Sequence, residues 1–182
     1  LRFRKATLWA ESTRLPLIIR MPGMKSQQNC PRVVNLIDLF PTLLDFAGVR
    51  MPPAHEPSVD GASIAGLLRD GDDVALPRDR GLAWHMPHQW GASGPGIEPF
   101  TSYRRERWKL LFFHDGPRVE LYDLETDLGE TLDLADDRPD VVDRMLLELD
   151  EWMTATDADL SRDATTGASI ARPATLVRTS TD

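Results

Sequence analysis

The clearest periodicity in the chain lies near its end. Val142, Met145, Leu146, Leu149, Trp152 and Met153 recur at helical spacing behind Pro139, which predicts an amphipathic helix with one face on a neighbouring layer. Ahead of it stand three strand-like runs, residues 81–86, 100–103 with 108–114, and 119–124. The Asp115-Gly116 step between the last two signals a hairpin, although Pro117 argues against a two-residue turn. Together these runs predict a small antiparallel sheet under the final helix, with Trp108 and Tyr122 packed beneath that helix. Nearer the start, residues 15–21 are almost continuously apolar and close on Pro22-Gly23, the pattern of a strand buried on both faces, with Pro16 at its beginning. Residues 38–48 read as a short helix in which Asp38 is the N-cap, Pro41 falls in the first turn and Gly48 ends it, with Leu39, Leu43, Phe46 and Ala47 facing inward. From 51 to 80 the chain is rich in Pro, Gly and Asp, which predicts surface loop around one helical turn at 63–68. Beyond about residue 157 periodicity stops, and the composition predicts a frayed or disordered tail over 158–182.

Composition narrows the function classes. With 182 residues, 41% hydrophobic and 27% charged, the chain can bury the core of one ordinary domain or of two small ones. The net charge of −8 argues against nucleic acid or an anionic membrane as the main partner, because both reward clustered Lys and Arg. No apolar run approaches the length of a membrane span. The single cysteine, Cys30, can form no intrachain disulfide and reads as a small apolar filler. The opening residues Leu1-Arg2-Phe3-Arg4-Lys5 contain neither an initiator Met nor a signal sequence, so the chain reads as a piece of a longer one.

Four stretches, in order, carry a family resemblance. The first runs from Lys5 through Trp9, Glu11, Arg14 and Pro16 to Pro22-Gly23, and the second from Val34 through Asp38, Pro41-Thr42-Leu43-Leu44 and Ala47-Gly48. The third is Asp60-Gly61-Ala62-Ser63-Ile64. The fourth is Arg107-Trp108-Lys109-Leu110 followed by Glu120-Leu121-Tyr122-Asp123-Leu124, Asp127, Glu130 and Leu134-Ala135. In this order they resemble the end of the sulfatase family, within the alkaline-phosphatase-like superfamily. The resemblance implies an α/β fold: residues 1–80 as the C-terminal part of the main α/β domain, and 81–157 as a small subdomain of antiparallel strands plus a helix.

The same resemblance implies that a complete enzyme is a sulfuric ester hydrolase using calcium and a formylglycine nucleophile. Their ligands and motif belong to an N-terminal half that this sequence lacks, so no metal ligand is assigned here and the fragment alone is expected to be inactive. Cys30-Pro31-Arg32 has the wrong spacing and place for the nucleophile motif. The lysine matching Lys5 is a sulfate contact, where an ammonium would stabilise charge on the sulfate and on the leaving oxygen. A solvated surface lysine is the plainer alternative. His85 and His88, flanking Met86-Pro87 at a strand end, are candidates for substrate binding, against one packed or exposed histidine each. His55 and His114 read as surface residues, and Glu11 with Arg14 as a structural ion pair. The acidic series from Asp123 to Asp137 lacks the spacing of a calcium loop and reads as loop solvation and helix capping. The expected partner is a sulfated small molecule or saccharide, with no nucleic acid and no membrane segment; a periplasmic or secreted parent is compatible with it. Two rivals stand beside this reading: a phosphoester or phosphonate ester hydrolase of the same superfamily, and a non-catalytic module for binding or subunit contact.

Overall fold

The computed structural model of the chain describes residues 9, 13–22, 30, 32–54, 59–70, 76–77, 79–89, 98–116 and 118–178. They divide into two compact units, Leu17–Arg80 and the described parts of Leu1–Pro16 with Gly81–Asp182.

The second unit is built on an antiparallel meander. Strands β1 (Gly81–Met86), β2 (Phe100–Arg105), β3 (Trp108–Phe113) and β4 (Arg118–Asp123) lie in sequence order. The middle run of the sequence thus splits into two strands. Glu106 and Arg107 make the tight connection, Arg105 faces Trp108, and Glu106 takes a positive φ of 52°. Phe113 faces Arg118, so the connection from β3 to β4 is longer than two residues, as the Pro117 of the sequence argued.

Alternation along the strands sends Tyr103, Leu110, Phe112 and Leu121 to one face. There the final helix, α3 in chain order (Pro139–Ala155), buries Val142, Met145, Leu146, Leu149 and Met153 against them. The opposite face carries Phe100, Leu111, Phe113 and Tyr122 beneath Trp9. Burial on both faces explains why β3 reads as an unbroken apolar run after Lys109. It also corrects the expectation for Tyr122: Trp108 packs on the α3 side, whereas Tyr122, one residue out of phase with Leu121, points the other way.

The tail expectation is corrected too, since residues 158–178 follow a defined path. Arg162 bridges to Ser169, and a 3-10 turn at Pro173–Leu176 packs against α3. Arg172 locks the turn in place through the carboxylate of Asp150 at 2.9 Å and the hydroxyl of Thr154 at 2.5 Å. The missing periodicity reflects a segment fixed by side-chain bonds and a few apolar anchors, Ile170, Leu176 and Val177, rather than by an element of its own.

The smaller unit contains α1 (Leu39–Ala47) and α2 (Ala65–Asp70). Gly48 ends α1 in the left-handed region at φ 65°, as its place predicts. The start differs: a 3-10 turn at Leu36–Asp38, capped by Asn35, precedes the helix, and Asp38 gives the helix no side-chain cap. Its inward face is polar as well as apolar. Asp38 and Thr42 are buried, Leu39 and Phe46 are half-buried, and Leu43 is 65% exposed. Ala47 is exposed too, so two of the four residues expected to face inward do not.

The strand expected over 15–21 is absent. These residues are irregular, and Ile18 is 92% exposed. A strand needs a partner to take its backbone hydrogen bonds as well as layers to cover its faces, and all four strands among the described residues pair only with one another.

Candidate functional site

Lys5, Glu11 and His55 lie outside the described residues. Trp9, which stands between the first two in sequence, is described. Trp9 is 4% exposed and sits at 5.4, 5.9 and 6.5 Å, centroid to centroid, from Phe100, Phe113 and Tyr122, tilted or edge-on to each. The amide and hydroxyl of Thr13 both donate to the Trp9 carbonyl, at 3.2 and 3.3 Å. An indole in an aromatic socket therefore fixes the chain four residues after Lys5.

The charged residues of the last motif turn out to serve one another. The Arg107 guanidinium forks onto the Asp123 carboxylate, Nε to Oδ1 at 2.8 Å, and this bond first of all holds the Asp123 carboxyl down at about 2. Lys109 and Glu130 form an ion pair of 2.7 Å in which both side chains are at most 2% exposed. Burial pushes Lys109 down to about 8, with Glu130 restoring part of the loss. Asp127 caps the following turn through the amides of Thr131 and Leu132 at 2.6 and 2.8 Å, and Asp133 accepts from Leu121 and Ala135 at 3.0 and 2.9 Å. The acidic series thus caps turns rather than the helix that was expected, since α3 begins with no side-chain cap, and Asp123 and Glu130 act as counter-ions rather than as loop solvation.

A similar knot organises the smaller unit. Asp38 takes both guanidinium nitrogens of Arg80 at 2.7 and 2.5 Å, together with the amides of Asn35 and Ala62 at 2.7 and 3.0 Å. Burial alone would raise its carboxyl, but these donors outweigh burial and hold it below its usual value. Thr42 accepts from the amide of Ile64 at 2.9 Å and donates to the Asp38 carbonyl at 2.5 Å. The second and third motifs are the two sides of this joint.

The histidines are rearranged relative to expectation. His88 is exposed just beyond β1. His85 is half-buried, and both of its ring nitrogens are engaged: Nδ1 with the Thr101 hydroxyl and Nε2 with the Asp159 carbonyl, each at 2.8 Å. His114, read from sequence as a surface residue, is 4% exposed and lies between the hydroxyls of Thr101 and Ser161 at 2.9 and 2.7 Å. Desolvation first, and then the neighbouring His85, push its ring down to about 4. Its sequence signal was its place directly after the buried β3, where the inward-outward alternation continues for one more residue.

Cys30 is exposed, and among the described residues no group of three or more His, Cys, Asp or Glu side chains is arranged to hold a metal ion. The described geometry thus seats Trp9 among aromatic rings on one face of the sheet and leaves His88 exposed just beyond β1.

Residues 2–156 match the family model described as N-sulphoglucosamine sulphohydrolase, C-terminal. A sulfatase of Formosa agariphila is 30% identical over 167 residues, covering 87% of this chain and 30% of that protein. Arylsulfatase K of Mus musculus is 30% identical over 145 residues, covering 77% and 25%. Among solved structures, a 2-O GAG sulfatase aligns with a TM-score of 0.59 at 26% identity over 76% of this chain and 29% of its own. A phosphonate monoester hydrolase from Silicibacter pomeroyi shares the fold, with a TM-score of 0.55 at 20% identity over 85% and 32%. The chain spans under a third of the length of these two curated relatives. The matched region contains all four ordered motifs, and the chain belongs to the sulfatase family as a C-terminal domain of the N-sulphoglucosamine sulphohydrolase type.

Proposed function

We propose that the protein carrying this region is a sulfuric ester hydrolase of arylsulfatase type whose substrate is a sulfated saccharide, and that Lys5 contacts the sulfate. The observation that carries the activity is the family match over residues 2–156. The saccharide follows from the glucosamine named in that family and from the glycosaminoglycan named for the structural relative. Two features support Lys5. Trp9, four residues on, is seated among buried aromatic rings, and the two cations of the fourth motif, Arg107 and Lys109, are paired with Asp123 and Glu130. His88 is the better placed of the two candidate histidines for a substrate contact, because His85 spends both nitrogens on the protein itself. The reading carries with it calcium and a formylglycine nucleophile in the complete enzyme, while among the described residues no group of three or more His, Cys, Asp or Glu is placed to hold an ion.

An ammonium at Lys5 would bind the sulfate and stabilise negative charge as the sulfur–oxygen bond to the leaving alcohol breaks. In the complete enzyme, Lys5→Ala should lower kcat/KM for an aryl sulfate by about 10²–10³-fold. Unchanged kinetics would remove Lys5 from the sulfate contact. Faster turnover of an aryl phosphonate monoester than of the sulfate would favour the phosphonate reading, and turnover of neither the non-catalytic one.

A further inference from the structure

On the α3 side of the sheet, hydrogen bonds run in one unbroken line. The Asp159 carbonyl meets His85 Nε2 at 2.8 Å, His85 Nδ1 meets Thr101 Oγ1 at 2.8 Å, and Thr101 Oγ1 meets His114 Nε2 at 2.9 Å. His114 Nδ1 then meets Ser161 Oγ at 2.7 Å, and Ser161 Oγ meets the Pro87 carbonyl. The line joins β1, β2, the β3–β4 turn and the segment that follows α3. Both of its ends are carbonyl oxygens, which can only accept.

Counting protons gives a definite result. Five links need five protons, one between each pair of heavy atoms. The neutral side chains of His85, Thr101, His114 and Ser161 can place only one proton each within the line. The line is one proton short.

We propose that this line holds a fifth proton, making one imidazole an imidazolium, so that residues 159–161 are fastened to the sheet more tightly in acid than in alkali. Burial places the charge on His85 rather than on His114, whose ring is the desolvated one. The directions then run without conflict. His85 donates from Nε2 to the Asp159 carbonyl and from Nδ1 to Thr101; Thr101 donates to His114 Nε2; His114 Nδ1 donates to Ser161; and Ser161 donates to the Pro87 carbonyl.

The groups facing His85 are Thr101 from β2, His114 from the β3–β4 turn, Trp152 from α3 at 6.2 Å between rings, and Asp159 from the following segment. Of these only His114 and Asp159 titrate, and Asp159 makes its contact through the main chain. When the fifth proton leaves, one link must open. The bond from His85 to Asp159 is the solvent-exposed one and opens first.

The test is long-range ¹⁵N–¹H correlation of the imidazoles in the 182-residue chain, followed from about pH 5 to pH 8, the window of histidine titration. At the acid end His85 should show two protonated nitrogens and His114 a neutral ring protonated at Nδ1. Ser161→Ala removes two links and one proton, leaving three links and three neutral protons, so it needs no extra one. In that variant His85 should lose its second proton about one pH unit lower than in the parent chain. Two singly protonated rings at the acid end in the parent chain, or equal midpoints in the two chains, would overturn the proposal. The tautomers of the parent chain decide it even where the variant does not fold.

Discussion

At Gly61 the main chain runs so close to the turn before α1 that a Cβ would stand 2.0 Å from the Ile37 carbonyl oxygen and 2.5 Å from its carbon. Both are backbone atoms, so no rotamer change relieves the clash. Gly61→Ala should therefore lower the stability of the smaller unit by about 1–3 kcal/mol. Urea denaturation can check this against Gly116→Ala, where nothing lies within 4 Å of the added carbon and the midpoint should stay put. Equal midpoints for both variants would show that the close approach yields easily. This glycine was legible as part of a motif but its reason was not, because the atom it must avoid lies 24 residues away along the chain, at Ile37.

Among elements, α3 was the most legible and α1 the least. Six apolar residues on one stripe behind a proline can only be satisfied by a covering helix, and the helix found runs Pro139–Ala155. In α1 the same reasoning failed at Leu43, because the buried side of the helix is held by the polar joint of Asp38 and Thr42, which hydrophobic periodicity cannot register. The apolar run at 15–21 failed for a related reason. A sequence pattern states what a strand would bury but not whether neighbours exist to bury it. The faces of α3 give a paired prediction. Leu146 is fully buried, and Leu146→Ala should cost about 2–5 kcal/mol. Leu147→Ala, one residue on and 46% exposed, should change stability by no more than about 0.5 kcal/mol. Similar losses for both in thermal denaturation would mean that the helix packs by a different face.

For the whole molecule, the shifted groups set how stability follows pH. The ring of His114 falls from 6.5 to about 4 on folding, so between these values the unfolded chain binds more protons than the folded one. Its contribution is complete above about pH 6.5 and is lost as pH falls through about 4, to a total of about 3 kcal/mol. Asp123, held at about 2, adds a further loss below about pH 4. Lys109 acts at the other end, because its fall to about 8 makes stability rise with pH between there and its ordinary value of 10.5. Urea midpoints should therefore drop from pH 7.5 to 4.5 in spite of the tighter fastening of residues 159–161 in acid, because the shift at His114 is the larger, and a flat profile would mean that His114 is not buried as a neutral ring. The ordered path of residues 158–178 has a practical consequence. The region matched by the family model stops at 156, yet Ser161 and Arg172 complete the partners of His114 and Asp150. Trimming the chain at that similarity boundary for expression would cut through its packing, unroofing the apolar surface that Ile170, Leu176 and Val177 now cover and inviting self-association.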